Sequence, residues 1–501
     1  MGSYLNFPIF IILASLLNPN IHVSGDSQPE ILNIEQYLQD SPSANTRFFG
    51  GRNFNTSECT SLSPEIRSEI EDYREVVYRI LETTLTGHFQ GKTYDDLATF
   101  VDKFGPRVSG SDALEESITY LGQLMTEADM EDVHEEEAVT PMWLRGNESA
   151  ILLSPRKESL DIRGLGFSVP TPDEGITGEV VLVRSFKEMQ AMKESLAGKI
   201  VVYNSKTGEG PLHCIIGASM AAKMGAIAAL ARSATSYSLY SVHASVQFYD
   251  EKIPKIPVAA LTLEDADMIE RMLLRGENVT IHLTMTNTAS SERMSRNVIG
   301  DYKGRELPEE YVMLAGHSDS WDMGEGALDD GIGPILAIEV INLLRFLNLT
   351  PRRTIRNAFF TGEEAGLYGA RRYVSDHRSE LDSYSAALEA DFGCLRASGL
   401  LFSGSTKATC IIHEIMQLYS QMTNATSLIR VGGVPTDIYL MNRGGVPGIV
   451  LNGDDGRYFW YHHTDADTMT AMQPANLDRC LAVWASTAYI IADLNEKLPR
   501  D

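Results

Sequence analysis

Tyr311-Val312-Met313-Leu314-Ala315-Gly316-His317-Ser318-Asp319 is the stretch on which the reading of this chain turns. Tyr311–Ala315 is a continuous apolar run, as expected of a strand covered on both faces, and it ends on His317 and Asp319. Functional groups of open α/β sheets gather just beyond the carboxyl ends of strands. Extended residues two apart share a face, so Asp319 is placed to accept the Nδ1–H of His317 and to leave Nε2 free for a metal. Standing alone, an H-x-D of this kind is usually a surface loop.

The surroundings repeat the pattern. A helix is expected over Ile332–Phe346, a strand over Ile355–Thr361, a helix over Gly366–Val374 and a strand over Ala386–Glu389. Such alternation predicts a parallel or mixed β-sheet sandwiched by helices, an α/β fold. Four further acidic residues fall at element ends, in three places. Asp329 lies in Gly326-Ala327-Leu328-Asp329-Asp330-Gly331-Ile332-Gly333, at the start of the Ile332 helix. Glu363 and Glu364 follow the Ile355 strand, and their side chains point apart, so one can ligate while the other faces a water. Asp391 follows the Ala386 strand. Late in the chain comes Tyr461-His462-His463-Thr464. Each piece alone has an ordinary reading as a cap or a solvated turn.

Further upstream, Ser63-Pro64-Glu65 starts a helix whose Ile66, Ile70, Tyr73, Val77, Ile80 and Leu81 share a face. A second helix follows Gly110, with Asp112 and Glu115 spaced as a capping box and Leu114, Ile118, Leu121 and Met125 as its apolar stripe. Between Asn147 and Glu292 the texture changes to short β-rich runs, Val180–Val183, Ile200–Tyr203, Ile256–Leu261 and Val279–Met285. These alternate with helical segments at Phe186–Leu196, Ile216–Lys223 and Leu263–Leu274. That region holds no cluster of His and carboxylates at ligand spacing and reads as a non-catalytic α/β insert. An amphipathic helix from Pro474 to about Lys497 closes the chain. The expected division is 61–146 and 293–501 for the catalytic domain and 147–292 for the insert.

At the amino end, Ile9–Leu17 is apolar except for Ser15, too short to span a bilayer, and followed by small residues Val23-Ser24-Gly25. Residues 1–25 therefore read as a secretory signal, and 26–60 as a pro-segment or a loose amino terminus. Sequons at Asn55, Asn147, Asn278, Asn348 and Asn424 fit glycosylation on an export route. No later stretch reaches about 18 uninterrupted apolar residues, so no membrane span is expected. The net charge of −26 argues against nucleic acid or anionic lipid as a partner and favours cations. Five cysteines without a C-x-x-C allow at most two disulfides.

The ordered set (H-x-D, D-D-G, G-E-E, a strand-end Asp, a late His) resembles the co-catalytic zinc exopeptidases. A closer likeness to one branch of that family rests on Gly105–Ser111, on Gly316-His317-Ser318-Asp319-Ser320-Trp321-Asp322, on Gly326–Gly333 and on His462–Met469. It runs through the insert, where Gly198–Asn204 looks like part of a protease-associated domain. The resemblance implies two Zn²⁺ per chain. One would be held by His317 and Asp391, the other by Glu364 and His463, with Asp329 as the bridge. It makes Glu363 the general base and Asp319 the partner that orients His317. Three carboxylates and a hydroxide would balance the charge of two such ions. The residues alone leave His462 and His463 open as ligands, and family spacing (His463-Thr-x-x-Asp-Thr) selects His463. Asp437, Tyr439 and Tyr461 are candidates for the substrate pocket, although each also reads as a cap or a packed aromatic. Ser318 stands where the family usually has Leu, and Pro435-Thr436-Asp437 where a Gly commonly precedes Thr-Asp. The branch implies a secreted exopeptidase, extracellular or in the ER, Golgi or lysosome, acting on unsubstituted dipeptides or short peptides as a homodimer. A one-zinc glutaminyl cyclase and an inactive receptor-like relative share the fold, but the full ligand set argues against both.

Overall fold

The computed structural model describes residues 52–54, 59, 62–206, 210–233, 235, 238–288 and 291–500. The expected signal, nearly all of the 26–60 segment and Asn55 lie outside the described residues. The other four sequon asparagines are exposed. The chain divides into two units. One comprises residues 48–140, 293–461 and 467–501; the other comprises 141–292 together with 462–466 among its described parts.

The first unit is built on a nine-stranded sheet. In spatial order its strands are Arg52–Asn53, Ser427–Arg430, Gly399–Ser403, Gly448–Asn452, Tyr384–Glu389, Leu307–His317, Arg353–Phe360, Ser291–Tyr302 and Glu131–Met142. The Leu307–His317 strand runs parallel to both of its neighbours, and Tyr384–Glu389 runs parallel to Gly448–Asn452. Ser291–Tyr302 and Gly399–Ser403 pair antiparallel to their inner neighbours, which makes the sheet mixed. Val312–His317 is buried throughout, as its unbroken apolar run requires. The helix Ile332–Phe346 has the bounds the sequence predicts, and the last helix, Pro474–Asp493, stops four residues short of Lys497. The latter packs against Arg74–Leu85, Lys92–Phe104 and Ile332–Phe346. Disulfides Cys59–Cys410 and Cys394–Cys480 lie within this unit.

Two helix expectations are corrected. The first helix is two, Pro64–Glu71 and Arg74–Leu85, although Ser63 caps it as expected. The break falls where Tyr73 turns its hydroxyl to Asp493 Oδ2, 3.1 Å away, with no Gly or Pro to announce it. The second helix, Asp112–Glu127, is capped by Ser111, whose Oγ accepts from the Leu114 N–H at 3.1 Å. Asp112 and Glu115 sit in its first turn, while Leu114, Ile118, Leu121 and Met125 are buried as predicted.

The second unit has an eight-stranded sheet. Its centre is a parallel run of Ile176–Val183, Ile200–Tyr203, Ala228–Arg232 and Val258–Leu261. Thr280–Met285 pairs antiparallel with both Ile176–Val183 and Glu148–Ser154. The Gly210–Ala222 helix is buried nearly all round, and Leu263–Leu274 covers the sheet with Ala266, Ile269 and Met272. Cys214 is free and buried, and burial pushes its thiol up to about 12.

Candidate active site

Parallel pairing puts the carboxyl ends of Arg353–Phe360, Leu307–His317 and Tyr384–Glu389 on one edge, with His317 opposite Phe360 and Ala315 opposite Glu389. The segments leaving those ends carry Glu363–Glu364, His317 and Asp391. His317 Nε2 lies 3.2 Å from Asp329 Oδ1 and 3.5 Å from Asp391 Oδ1. All three side chains are buried, and their donor atoms are close enough together to share one metal ion.

Asp329 reaches this point from the loop between the His317 strand and the Ile332 helix. Asp330, joined to it by a cis peptide, ties the loop back. Its Oδ2 accepts from the His317 N–H at 3.1 Å and its Oδ1 from the Gly333 N–H at 3.0 Å. Asp467 accepts from the N–H groups of Leu328 and Asp329, at 2.6 and 3.1 Å.

Asp319 acts differently from the expectation. Its backbone carbonyl, not its carboxylate, is the close partner of His317 Nδ1, at 2.9 Å against 3.7 Å. The strand ends at His317, so the i, i+2 geometry of an extended chain does not continue to Asp319. The carboxylate instead accepts from the N–H groups of Glu363 and Glu364, at 3.0 and 3.2 Å. Asp319 therefore fixes both the histidine ring and the turn that bears the two glutamates. A proton on Nδ1 satisfies the carbonyl and leaves the Nε2 lone pair for a cation.

Glu363 is buried, and its Oε1 has no hydrogen-bond partner among the described residues. Burial lifts its pKa well above the carboxylate range, and Asp391, Asp437 and Glu364 push the same way against the pull of His317. Asp437 is raised for the same first reason, and Glu389 is pushed up to about 8 by burial and by Asp391. For His317, burial favours the neutral ring, yet the nearby carboxylates of Asp319, Asp329 and Asp391 outweigh it and raise the pKa well above its usual value. So many acids cannot all be ionised at low dielectric without added positive charge. Nitrogen and oxygen donors in that setting suit zinc.

Glu364 is half-buried beside Glu363 and outside the His317–Asp329–Asp391 group. His462 and His463 belong to the 462–466 segment of the other unit. Their rings stack at 3.6 Å, because His463 has φ +59° and the pair is not extended. His463 Nδ1 sits 3.1 Å from the Ala244 carbonyl. Among the pocket candidates, the Tyr439 hydroxyl accepts from Arg443 at 3.2 Å and Tyr461 packs on the core. Asp437 is buried, and neither of its oxygens has a hydrogen-bond partner among the described residues. Sequence reasoning assigned no role to Arg107, Asp330, Glu389 or Asp467. Arg107 and Asp467 lie inside the quoted stretches Gly105–Ser111 and His462–Met469, so a signal was present without a function attached.

Residues 297–488 match the profile of Peptidase family M28. The chain is 42% identical to carboxypeptidase Q of Mus musculus, over 87% of this chain and 93% of that protein. The chain belongs to peptidase family M28. Within that family its likeness is to carboxypeptidase Q, the branch also called plasma glutamate carboxypeptidase, and it is a metallo-exopeptidase. Among solved structures this M28 chain is similar to a Peptidase M28 precursor from Shewanella amazonensis. That match has 29% identity and a TM-score of 0.80, covering 86% of this chain and 99% of the other. An aminopeptidase from Aneurinibacillus sp. strain AM-1, at 18% identity and TM-score 0.63, shares the fold over 84% of this chain and 98% of its own. Among the described residues no helix is long and apolar enough to cross a membrane.

Proposed function

We propose that this M28 peptidase is a secreted two-zinc exopeptidase that hydrolyses unsubstituted dipeptides or very short peptides. The observation that carries the reading is the convergence of His317, Asp329 and Asp391 from separate elements onto one buried point, beside a buried Glu363. On this reading Asp329 would serve both ions, and Glu364 and His463 would be the second ion's further ligands. Bound zinc supplies a Lewis acid that polarises the scissile carbonyl and lowers the pKa of water.

Glu363 takes one proton from the attacking water as its oxygen adds to the carbonyl carbon. It returns that proton to the nitrogen as the C–N bond breaks. Burial lifts the Glu363 carboxyl, and bound cations would counter that lift and leave it able to accept the water's proton. Asp319 keeps the general base in register through the Glu363 N–H.

The signal over 1–25, removal of a segment within 26–60, glycans on Asn55, Asn147, Asn278, Asn348 and Asn424, and passage through ER, Golgi or lysosome belong to the same proposal. So does a homodimer in which the 147–292 insert is a protease-associated-like, non-catalytic domain. The test is hydrolysis of a small dipeptide panel with and without chelator, with zinc measured on the same sample. Chelator-sensitive release of free amino acids with about two zinc per chain supports the reading. One zinc with cyclisation of an amino-terminal glutamine would replace it by the glutaminyl cyclase alternative.

A further inference from the structure

The loop that follows His317 must present Asp329 at a fixed point, although little regular structure supports it between residues 318 and 326. What supports it is Arg107. This side chain is fully buried, and its guanidinium lies over the Phe100 ring at 4.8 Å. Its donors go to backbone carbonyls. Nε donates to Ser318 O at 3.0 Å, Nη2 to Gly326 O at 2.8 Å, and Nη1 to Glu325 O and Gly105 O at 2.9 and 3.0 Å. Its own backbone is paired with Ser320. The Arg107 N–H donates to Ser320 Oγ at 3.0 Å and the Ser320 N–H to Arg107 O at 3.1 Å. The loop is moulded onto this group at Gly326. Its φ is +60°, and a Cβ there would come within 2.5 Å of Ser320 Cβ and 2.9 Å of Arg107 Nη2. Burying a guanidinium is costly, so the fixed carbonyls and the nearby charges of Asp467, Asp319, Asp330 and Asp329 must hold it there.

Asp467 closes the same loop from its far end. Its carboxylate takes the N–H groups of Leu328 and Asp329, and its carbonyl accepts from the Glu325 N–H at 2.6 Å. Glu325 Oε2 in turn accepts from the Met469 N–H at 3.1 Å. The loop is thus pinned at Ser318, Ser320, Glu325 and Gly326 by one residue, and at Glu325, Leu328 and Asp329 by the other.

We propose that Arg107 and Asp467 are positioning residues that shape the 318–331 loop and thereby set how tightly Asp329 can hold a metal ion. This rests on the reading of Asp329 as a ligand. Both act through the backbone that carries Asp329. Lysine at 107 keeps the charge but cannot reach Ser318, Glu325 and Gly326 together, because an ammonium is a point donor and a guanidinium is a planar fork. Asparagine at 467 keeps one acceptor oxygen for two N–H groups.

The test uses the full chain as wild type, Arg107→Lys, Asp467→Asn and Asp329→Asn. Zinc affinity is read by equilibrium against graded metal buffers, and apo-protein melting and kcat and KM at saturating zinc are read alongside. Loss of supporting contacts around a ligand typically lowers metal affinity about 10–100-fold. That loss is expected for Arg107→Lys and Asp467→Asn, with KM for the peptide near wild type and kcat partly recovered by excess zinc. Should Arg107→Lys not fold, Asp467→Asn decides. Folded variants with wild-type zinc affinity would overturn the positioning role. Undiminished zinc binding by Asp329→Asn would instead overturn the ligand assignment, so the two failures are told apart.

Discussion

Both units of this chain carry a parallel run of strands, and in both the carboxyl ends are crowded with acids; the difference lies in what faces them. In the 141–292 unit, the acids have protein cations. Glu270 Oε1 accepts from Arg184 Nε at 2.9 Å, and Lys206 Nζ lies 3.1 Å from Asp267. Asn204, fully buried, donates to both Asp267 and Glu270, at 3.0 and 2.6 Å. In the catalytic unit, Asp319, Asp329, Asp330, Glu363, Glu389, Asp391 and Asp437 are all buried. The guanidinium buried beside them, Arg107, directs its donors to carbonyls. The first edge is neutralised internally and the second is left in need of added charge. An α/β edge is common to both; chemistry follows where the charge is left open.

The sharpest way to break this contrast is at Glu363. Glu363→Gln is expected to lower kcat by about 10²–10⁴-fold while zinc content and melting temperature stay near wild type. Near-normal turnover with full metal would remove the general base. Next comes the histidine pair. His463→Ala should reduce bound zinc from about two to about one per chain and abolish most activity. His462→Ala should leave the zinc count unchanged, and metal analysis of the two variants distinguishes them. On the internally neutralised edge, Asn204→Ala strips a donor from two half-buried carboxylates and should cost about 1–3 kcal/mol of stability. It should leave kcat alone; a lowered kcat in a folded protein would erase the contrast.

The smallest expected effect concerns pH. His377 Nε2 and His134 Nε2 lie 2.8 and 3.4 Å from Glu136 Oε1. Hydrogen bonding to Glu136 raises both histidines, and against its own burial those bonds lower Glu136 to about 2. The histidine contribution is complete below about pH 6.5 and fades as pH rises through the folded values. The Glu136 contribution is complete above about pH 4.5 and fades as pH falls. The clasp is therefore fullest between roughly pH 4.5 and 6.5. His377→Gln should flatten the pH dependence of stability between pH 5.5 and 8, read by thermal melts, by under about 1 kcal/mol because the pair is partly solvated. An unchanged profile would dismiss the clasp.

Periodicity carried the core reliably, since an apolar run such as Tyr311–Ala315 or a stripe such as Leu114, Ile118, Leu121 and Met125 can be buried in only one way. It could not see the break at Asp72–Tyr73, where a tertiary contact with Asp493 and not a breaker residue marks the turn. It likewise missed Ser111 as the cap, because Asp112 and Glu115 fit the same local rule. The metal-type residues were legible as an ordered set of weak signals at strand ends. Arg107 and Asp467 stood inside recognisable stretches, but their role was not legible, because they bind backbone, and backbone partners leave no pattern in the side-chain sequence.

The amino-acid order by itself determined which strands are buried on both faces, where their carboxyl ends fall, and that His317, Glu363 and Asp391 leave from them. Those are consequences of hydrophobic pattern and of alternating side-chain direction, both local properties. Tertiary structure alone decided that the Asp319 carbonyl and not its carboxylate holds the His317 ring, and that a buried arginine shapes the loop bearing Asp329. These depend on where the chain turns after a strand ends, which is fixed by distant segments and by the hydrogen bonds that buried groups must find there.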